Sequence, residues 1–127
     1  MGDFISTFSV AASGMEAQSR RLRLISENIA NADTPGFRRK MISFEEAARQ
    51  GGVQVTGPVR LDQAPLAQIY DPGNPLANEQ GVYDGSNVSL VVEVADAREA
   101  QRSYEANLRM FDQARRMSSS LLDLLKR

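Results

Sequence analysis

The sequence predicts a mainly α-helical fold with a small β-containing middle segment. Apolar residues recur at steps of three and four along the N-terminal part of the chain, and neither Pro nor Gly interrupts positions 87–125. Between these two parts the pattern changes to alternation at every second residue, which is typical of half-buried strands. The predicted organisation is an N-terminal helix over residues 1–34, a turn and β-rich middle segment over 35–86, and a long C-terminal helix over 87–127.

The N-terminal helix is predicted from one narrow apolar line. The line consists of Phe4, Phe8, Ala11, Met15, Gln18, Leu22, Ile25 and Ile29, and Gln18 is its polar member. Such spacing keeps one face of a helix against a partner helix. Because an isolated helix is only marginally stable in water, this helix requires that partner.

The C-terminal segment offers a second apolar stripe, which is wider than the first. Its large apolar side chains include Tyr104, Leu108, Phe111, Leu121 and Leu125. At about 1.5 Å per residue, a helix of this length extends roughly 55 Å, which is too long for the core of a compact domain of this size. The pattern leaves two interpretations open: an ordinary antiparallel helical pair, or two terminal helices that pack against other chains.

A cluster of helix-breaking residues predicts that the first helix ends near Asn31. The cluster consists of Asn28, Asn31, Asp33, Thr34, Pro35 and Gly36. Pro35 and Gly36 suit the central positions of a type II turn, since Pro fixes the first φ and Gly permits a positive second one.

The middle segment is predicted to contain short strands. Val53, Val55, Val59, Leu61 and Ile69 alternate with other residues, and Gly57-Pro58 is predicted to connect two strands as a hairpin. Residues 45–50 are compatible with one or two helical turns. The turn formers at 70–75 should end the strand region, and a loop over 76–86 should follow. Asn87 or Ser86 is then expected to cap the second helix.

The composition argues against catalysis and against binding of metals, cofactors or nucleic acid. The 127 residues have a net charge of −1 and include no Cys and no His. These absences exclude the common nucleophile–base pairs and zinc sites, and Gly51-Gly52 lacks the Lys-Ser/Thr of a phosphate-binding loop. A net charge of −1 does not indicate a basic surface that would bind nucleic acid. We therefore expect a protein that is not an enzyme, with no cofactor, no metal and no small-molecule substrate.

The sequence also predicts a chain that does not span a membrane. No run approaches the roughly 18 apolar residues that a spanning helix needs. The N-terminus lacks the positively charged region and apolar core of a cleaved secretory signal. The chain is thus expected to stay in the cytoplasm unless it leaves by a route that uses no cleaved signal.

Residues 13–37 resemble the N-terminal signature of bacterial flagellar rod and hook proteins. The matching residues are Ser13-Gly14-Met15, Gln18, Arg21-Leu22 and the run ISENIANADTPGF from Ile25 to Phe37. Three further segments are similar to the small proximal-rod members of that family: Arg38-Arg39-Lys40, residues 70–75 and residues 98–107. The resemblance covers nearly the whole chain. The run from Asp84 to Val88 instead looks like a sister proximal-rod subunit, which stays an alternative.

The resemblance implies a structural subunit of the proximal rod of the flagellar basal body. The two helices would form a coiled-coil-like layer in a helical tube that transmits torque from motor to hook and filament. Such a subunit would leave the cytoplasm by type III export without a cleaved signal peptide and lie in the periplasmic rod. Its partners would be other copies, other rod proteins, and membrane-ring and export-gate components at the rod base.

The resemblance also implies two sets of functional residues. Assembly contacts would lie at Phe4, Phe8, Met15, Leu22, Ile25, Ile29, Tyr104, Leu108, Phe111, Leu121 and Leu125. The joint between helix and middle segment would consist of Asn28, Asn31, Asp33, Pro35 and Gly36. The alternative from another class is a cytoplasmic helical adaptor or export chaperone, which would bind one partner at fixed stoichiometry. In dilute monomer we expect the termini to be poorly ordered, since the helices would lack their partners.

Overall fold

A computed structural model describes residues 2–46 and 52–126. In chain order its elements are α1 (Gly2–Ala30), β1 (Lys40–Glu46), β2 (Val53–Leu61), β3 (Gln68–Tyr70), β4 (Val82–Asp84) and α2 (Leu90–Leu125). The predicted fold, two long helices around a small β-containing middle, is confirmed.

The two helices pack against each other in antiparallel orientation. Near the start of α1, the ring of Phe8 lies 4.9 Å from the ring of Phe111, at an interplanar angle of 67°. Near the end of α1, the side chain of Asn28 reaches Glu93 in the first turn of α2. Of the two interpretations left open by the pattern, the helical pair within one chain is therefore present.

The contact between the helices is built from small residues. Ala11, Gly14 and Ala17 are buried on α1, and Ala100 and Ala114 are buried on α2. A Cβ added at Gly14 would lie 2.6 Å from side-chain atoms of Asn107, so the glycine leaves room for that side chain between the helices. The buried face overlaps the predicted apolar line at Ala11 and Ile25, and it also includes Gly14 and Ala17, which lie outside that line.

The large members of the predicted line lie beside this contact. Met15 and Leu22 are half-buried, and Ile29 keeps 38% of its surface exposed. Only Ile25 combines a large apolar side chain with full burial on α1 among the described residues.

The first two strands form an antiparallel sheet that lies along α1. The register runs from Lys40 opposite Leu61 to Glu46 opposite Val53, with an irregularity between Met41 and Ser43. The predicted hairpin connection at Gly57-Pro58 is wrong, because both residues lie inside β2. A proline lacks the N–H for a regular ladder, and the irregular register accommodates it there.

Two further predictions for the middle segment need correction. Glu45 and Glu46 belong to β1 and not to a helical turn, while residues 47–50 of that prediction lie outside the described part. The segment predicted as a loop over 76–86 contains β4, which pairs with β3 in a second antiparallel sheet. Between them, Gly81 adopts a positive φ of 78°, which a residue with a side chain rarely adopts.

Candidate functional site

The turn after α1 has the geometry that the sequence predicts. The N–H of Phe37 donates to the carbonyl of Thr34 over 3.2 Å, and Gly36 has a φ of 74°. These are the features of a type II turn with Pro35 and Gly36 at its centre. The N–H of Gly36 also donates to the carbonyl of Gly85 over 3.0 Å, which ties the turn to the segment after β4.

Two more residues of the predicted joint have different surroundings. The amide of Asn31 donates to the carbonyl of Glu27 over 2.8 Å, and its oxygen accepts a bond from the Thr34 hydroxyl over 3.1 Å. These bonds pair polar groups at the C-terminal end of α1 with each other and involve no other element. Asp33 is exposed.

Asn28 connects three elements from a buried position. Its side chain is 1% exposed. The Oδ1 atom accepts from the N–H of Lys40 over 2.9 Å, and the Nδ2 atom donates to the carbonyl of Lys40 over 3.1 Å. The amide thus pairs with the first residue of β1 as a neighbouring strand would. Nδ2 also donates to Oε2 of Glu93 over 3.4 Å, which joins α1 and β1 to α2.

Glu93 is a fully buried carboxylate that pairs with Arg39. It is 0% exposed, and its Oε1 accepts from Nε of Arg39. The same guanidinium donates from Nη2 to Oδ2 of Asp96 over 2.8 Å, and Nη1 lies 3.8 Å from Oδ2 of Asp62. Burying a carboxylate without a partner would cost several kcal/mol, so Arg39 is required where Glu93 is buried.

The surroundings of Arg39 stabilise its charge. Burial alone would lower the pKa of Arg39, but the hydrogen bond and charge of Glu93, with the charges of Asp96 and Asp62, outweigh burial and raise that pKa above its ordinary value. The guanidinium is therefore charged throughout the physiological range. We call Asn28, Arg39, Glu93 and Asp96 the polar junction.

The predicted caps of α2 bind the middle segment and the end of α1 instead. The residue before α2 is Ser89, which makes no side-chain capping bond within the described residues. Asn87 Oδ1 accepts from the N–H of Arg39 over 2.6 Å, and its Nδ2 donates to the carbonyl of Asp62 over 2.9 Å. The hydroxyl of Ser86 donates to the carbonyl of Ala32. The cap prediction is wrong because both side chains are engaged by the middle segment and by the end of α1.

The structure distributes the predicted assembly residues between the inside and the outside of the helical pair. Phe8 and Phe111 contact each other, and Ile25 is buried. Phe4, Met15, Leu22 and Tyr104 are half-buried, whereas Ile29, Leu108, Leu121 and Leu125 are exposed. The assignment of this set to contacts between subunits stays a prediction.

Two exposed apolar surfaces lie at opposite ends of α2. The first, which we call the start patch, consists of Leu90, Val91 and Val94 and is bordered by Arg98. The second, which we call the leucine end, consists of Leu121, Leu122, Leu124 and Leu125. The four leucines line an apolar groove of about 200 Å³ together with Ser118 and with Phe4 of α1.

The polar junction borders a cleft of about 280 Å³ between α1, β1 and α2. Its apolar wall includes Leu24, Met41 and Phe44. The two carboxylates in its lining, Glu93 and Asp96, both pair with Arg39. The described residues contain no cluster of metal-ligating side chains, and in the same part of the chain no helix is long and apolar enough to cross a membrane.

Glu93 and Arg39 were not predicted from the sequence as functional residues. A signal for Glu93 was present, because position 93 lies on the same helical face as Ala97, Ala100 and Phe111. A lone carboxylate on an apolar helix face predicts a buried ion pair. No comparable signal marked Arg39 among its basic neighbours.

Comparison with known proteins locates these features in two matched segments. Residues 8–38 match a family model described as "Flagella basal body rod protein". Residues 79–124 match one described as "Flagellar basal body rod FlgEFG protein C-terminal". The first segment contains Asn28 and the joint turn, and the second contains Glu93, Asp96 and most of the leucine end.

The full-length relatives are more specific. A protein of Agrobacterium fabrum named "Flagellar basal-body rod protein FlgC" is 46% identical, over 92% of this chain and 91% of the relative. The chain belongs to the FlgC family of flagellar basal-body rod proteins. FlgC of Salmonella typhimurium and FlgC of Escherichia coli O6:H1 are each 35% identical, over 94% of this chain and 96% of the relative. The predicted resemblance is confirmed, and FlgC is favoured over the sister subunit FlgB.

Proposed function

We propose that this chain is a structural subunit of the proximal rod of the flagellar basal body. In that role it assembles helically with other rod subunits and transmits torque from motor to hook and filament, without catalysis. The observation that carries the proposal is the 46% identity to a FlgC protein over 92% of the chain. The helical pair with exposed apolar ends supports it, because such ends suit contacts with further subunits.

The proposal includes a location and a set of neighbours. The subunit would lie in the periplasmic rod after type III export without a cleaved signal peptide. At the rod base it would meet membrane-ring and export-gate components. Membership of a rod-protein family supports this placement.

The polar junction gives the proposal a mechanical basis. A subunit that transmits torque must resist rotation of its middle segment against its helical pair. Any such rotation would separate Glu93 from Arg39 and leave a carboxylate unpaired in a buried position, which costs about 3–5 kcal/mol. We infer that the predicted joint at Asn28, Asn31, Asp33, Pro35 and Gly36 sets the angle between helices and middle segment, and that the junction holds it.

Electron microscopy of isolated basal bodies tests the structural role. A strain that lacks the gene is compared with its parent and with the complemented strain. We expect no filaments and basal bodies that stop at the membrane ring without a rod. Intact rods and filaments, in the absence of a substituting paralogue, would contradict the proposal and favour a cytoplasmic adaptor.

The joint is tested with Gly36→Ala. Gly36 has a positive φ, and no described atom lies within 4 Å of an added Cβ, so the substitution strains the backbone without a clash. We expect a loss of about 1–2 kcal/mol in unfolding free energy and a reduced yield of complete rods. Gly73→Ala is the matched control, because its φ is not in the positive range and its Cβ would make an ordinary 3.8 Å contact. Normal rod yield in G36A would argue against an angle-setting role.

A further inference from the structure

The second sheet lies apart from the rest of the fold. We call residues 67–85, which contain β3, β4 and their connection, the arm. The two strands pair with each other, and among the described residues neither lies beside a helix or beside β1 and β2. On the arm, Tyr70 is 73% exposed and Leu76 is 63% exposed. Because its strands do not pack on the helices, the direction of the arm depends on the bonds at its base.

The strand that leaves the arm is attached near the end of α1. The N–H of Gly36 donates to the carbonyls of Asp84 and Gly85 over 3.2 and 3.0 Å. The hydroxyl of Ser86 donates to the carbonyl of Ala32. These bonds hold one of the two segments at the base of the arm. Attachment along a single segment does not prevent rotation about that segment, so a second attachment is needed to fix the direction of the arm.

The segment that enters the arm is held by the side chains of Asn87 and Arg38. Nδ2 of Asn87 donates to the carbonyls of Asp62 and Ala64 over 2.9 and 3.1 Å. Nη1 of Arg38 donates to the same two carbonyls over 3.3 and 3.2 Å. Each carbonyl oxygen has two lone pairs and can accept both bonds. We call Asn87 and Arg38 the clamp.

Asn87 also connects the clamp to the segment that follows the joint turn. Its backbone N–H donates to the carbonyl of Phe37 over 3.3 Å, and its Oδ1 accepts from the N–H of Arg39 over 2.6 Å. The side chain of Arg39 pairs with Glu93. Asn87 therefore joins the segment that enters the arm to the residue that anchors the polar junction. Only a side chain with both a donor and an acceptor can make these bonds at once.

We propose that the clamp fixes the direction of the arm relative to the helical pair, and that the arm turns as one body when the clamp opens. Two of the four clamp bonds, one from each side chain to Ala64, lie at exposed positions where water can replace them at low net cost. The arm keeps its own strand pairing from Gln68 to Tyr70 when these bonds are lost. The polar junction contains no residue of the arm, so opening the clamp leaves the helical pair intact. The inference concerns the isolated chain and goes beyond the rod function.

Distances between pairs of spin labels on the purified chain test the clamp. The chain contains no Cys, so two introduced cysteines are the only labelled sites. Gln80→Cys with Gln113→Cys measures the distance from the arm to α2, which we call the arm distance. Ser26→Cys with Gln113→Cys measures the distance from α1 to α2, which we call the helix distance. All three positions are exposed, and double electron–electron resonance gives the distribution of each distance.

We expect Asn87→Ala to broaden the distribution of the arm distance roughly twofold and to leave that of the helix distance unchanged. Arg38→Ala should broaden the arm distance less, because both Nδ2 bonds of Asn87 remain, and the double variant should broaden it most. Asn74→Ala is the matched control, since Oδ1 of Asn74 accepts from the N–H of Leu76 over 2.9 Å within the arm. It should leave both distributions as they are in the parent.

The clamp is overturned if the arm distance keeps its width in the double variant, because the attachment near the end of α1 would then be sufficient. It is also overturned if the parent distribution is already as broad as that of the double variant. If Asn87→Ala broadens both distances, the helical pair itself is lost, and Arg38→Ala then decides. Broadening of the arm distance alone in that variant supports the clamp, and no broadening overturns it. The rod function is tested separately by the deletion strain.

Discussion

The two ends of α2 invert the usual distribution of polar and apolar side chains. At one end the carboxylate of Glu93 is fully buried, and at the other end Leu125 keeps 77% of its surface in solvent. The buried charge has its partners within the chain, in Arg39 and Asn28. Phe4 lines the same groove as Leu125, but most of the leucine surface stays exposed. The junction is thus complete in a single chain, whereas the leucine end is a surface suited to a contact that one chain does not supply.

This difference separates the stability of the subunit from its assembly. Substitutions in the polar junction should change the unfolding free energy strongly, because they leave buried groups unpaired. Substitutions at the leucine end should change assembly with little effect on the monomer, because those side chains are largely in solvent before assembly. Three variants test this separation.

The largest effect on stability is expected for Arg39→Ala. This change leaves Glu93 buried without its cation, and the loss should be about 3–5 kcal/mol of unfolding free energy. Urea denaturation followed by circular dichroism measures it. Arg23→Ala is the matched control, since Arg23 is exposed on α1 and the substitution should stay within about 0.5 kcal/mol of the parent.

Equal unfolding free energies of R39A and R23A would contradict the distinction between the polar junction and the leucine end. It would mean that water or a shifted side chain satisfies Glu93, and the junction would then not hold the middle segment. Arg39→Lys should lower the unfolding free energy by less than Arg39→Ala. It retains a charge but loses the forked geometry with which Arg39 contacts Glu93 through Nε and Asp96 through Nη2.

An intermediate effect is expected for Gly14→Val in the helical contact. The first atom of the new side chain would lie 2.6 Å from the side chain of Asn107, which donates to the carbonyl of Ser103 over 2.8 Å. Overpacking of this kind costs about 1–3 kcal/mol. Asn107→Ala in the same chain should restore most of the loss, and a double-mutant cycle measures that coupling. Additive effects of the two substitutions would show that the helices do not meet closely at this position.

The helices and the joint turn could be predicted from the sequence because their signals are local. Breaking residues after Ala30 and the Pro35-Gly36 pair act within a few positions of themselves, and the structure has the helix end and the turn where the sequence predicts them. The strand pairing could not be predicted in the same way. Gly57-Pro58 is typical of a turn, and only the pairing of β2 with the preceding strand β1 makes it an irregularity within a strand.

The contacts of Asn28 and Asn87 could not be predicted from local sequence for a similar reason. Asn28 belongs to a cluster that predicts the end of a helix, and the position of Asn87 predicts a helix cap. Both amides instead bind backbone groups of the middle segment. An amide side chain can satisfy either role, and only the tertiary arrangement decides between them.

The smallest effect on stability is expected for Leu125→Ser at the leucine end. Because Leu125 is mostly exposed, its replacement should change the unfolding free energy by no more than about 0.5 kcal/mol. Phe111→Ala is the contrasting variant on the same helix. It removes a ring that packs on Phe8 and should cost about 2–4 kcal/mol. If the leucine end is buried only in the assembled rod, L125S should fold like its parent and yet yield fewer complete rods. A stability loss as large as that of F111A would instead mean that the leucines are already covered in the monomer, and the contrast between the two ends of α2 would disappear.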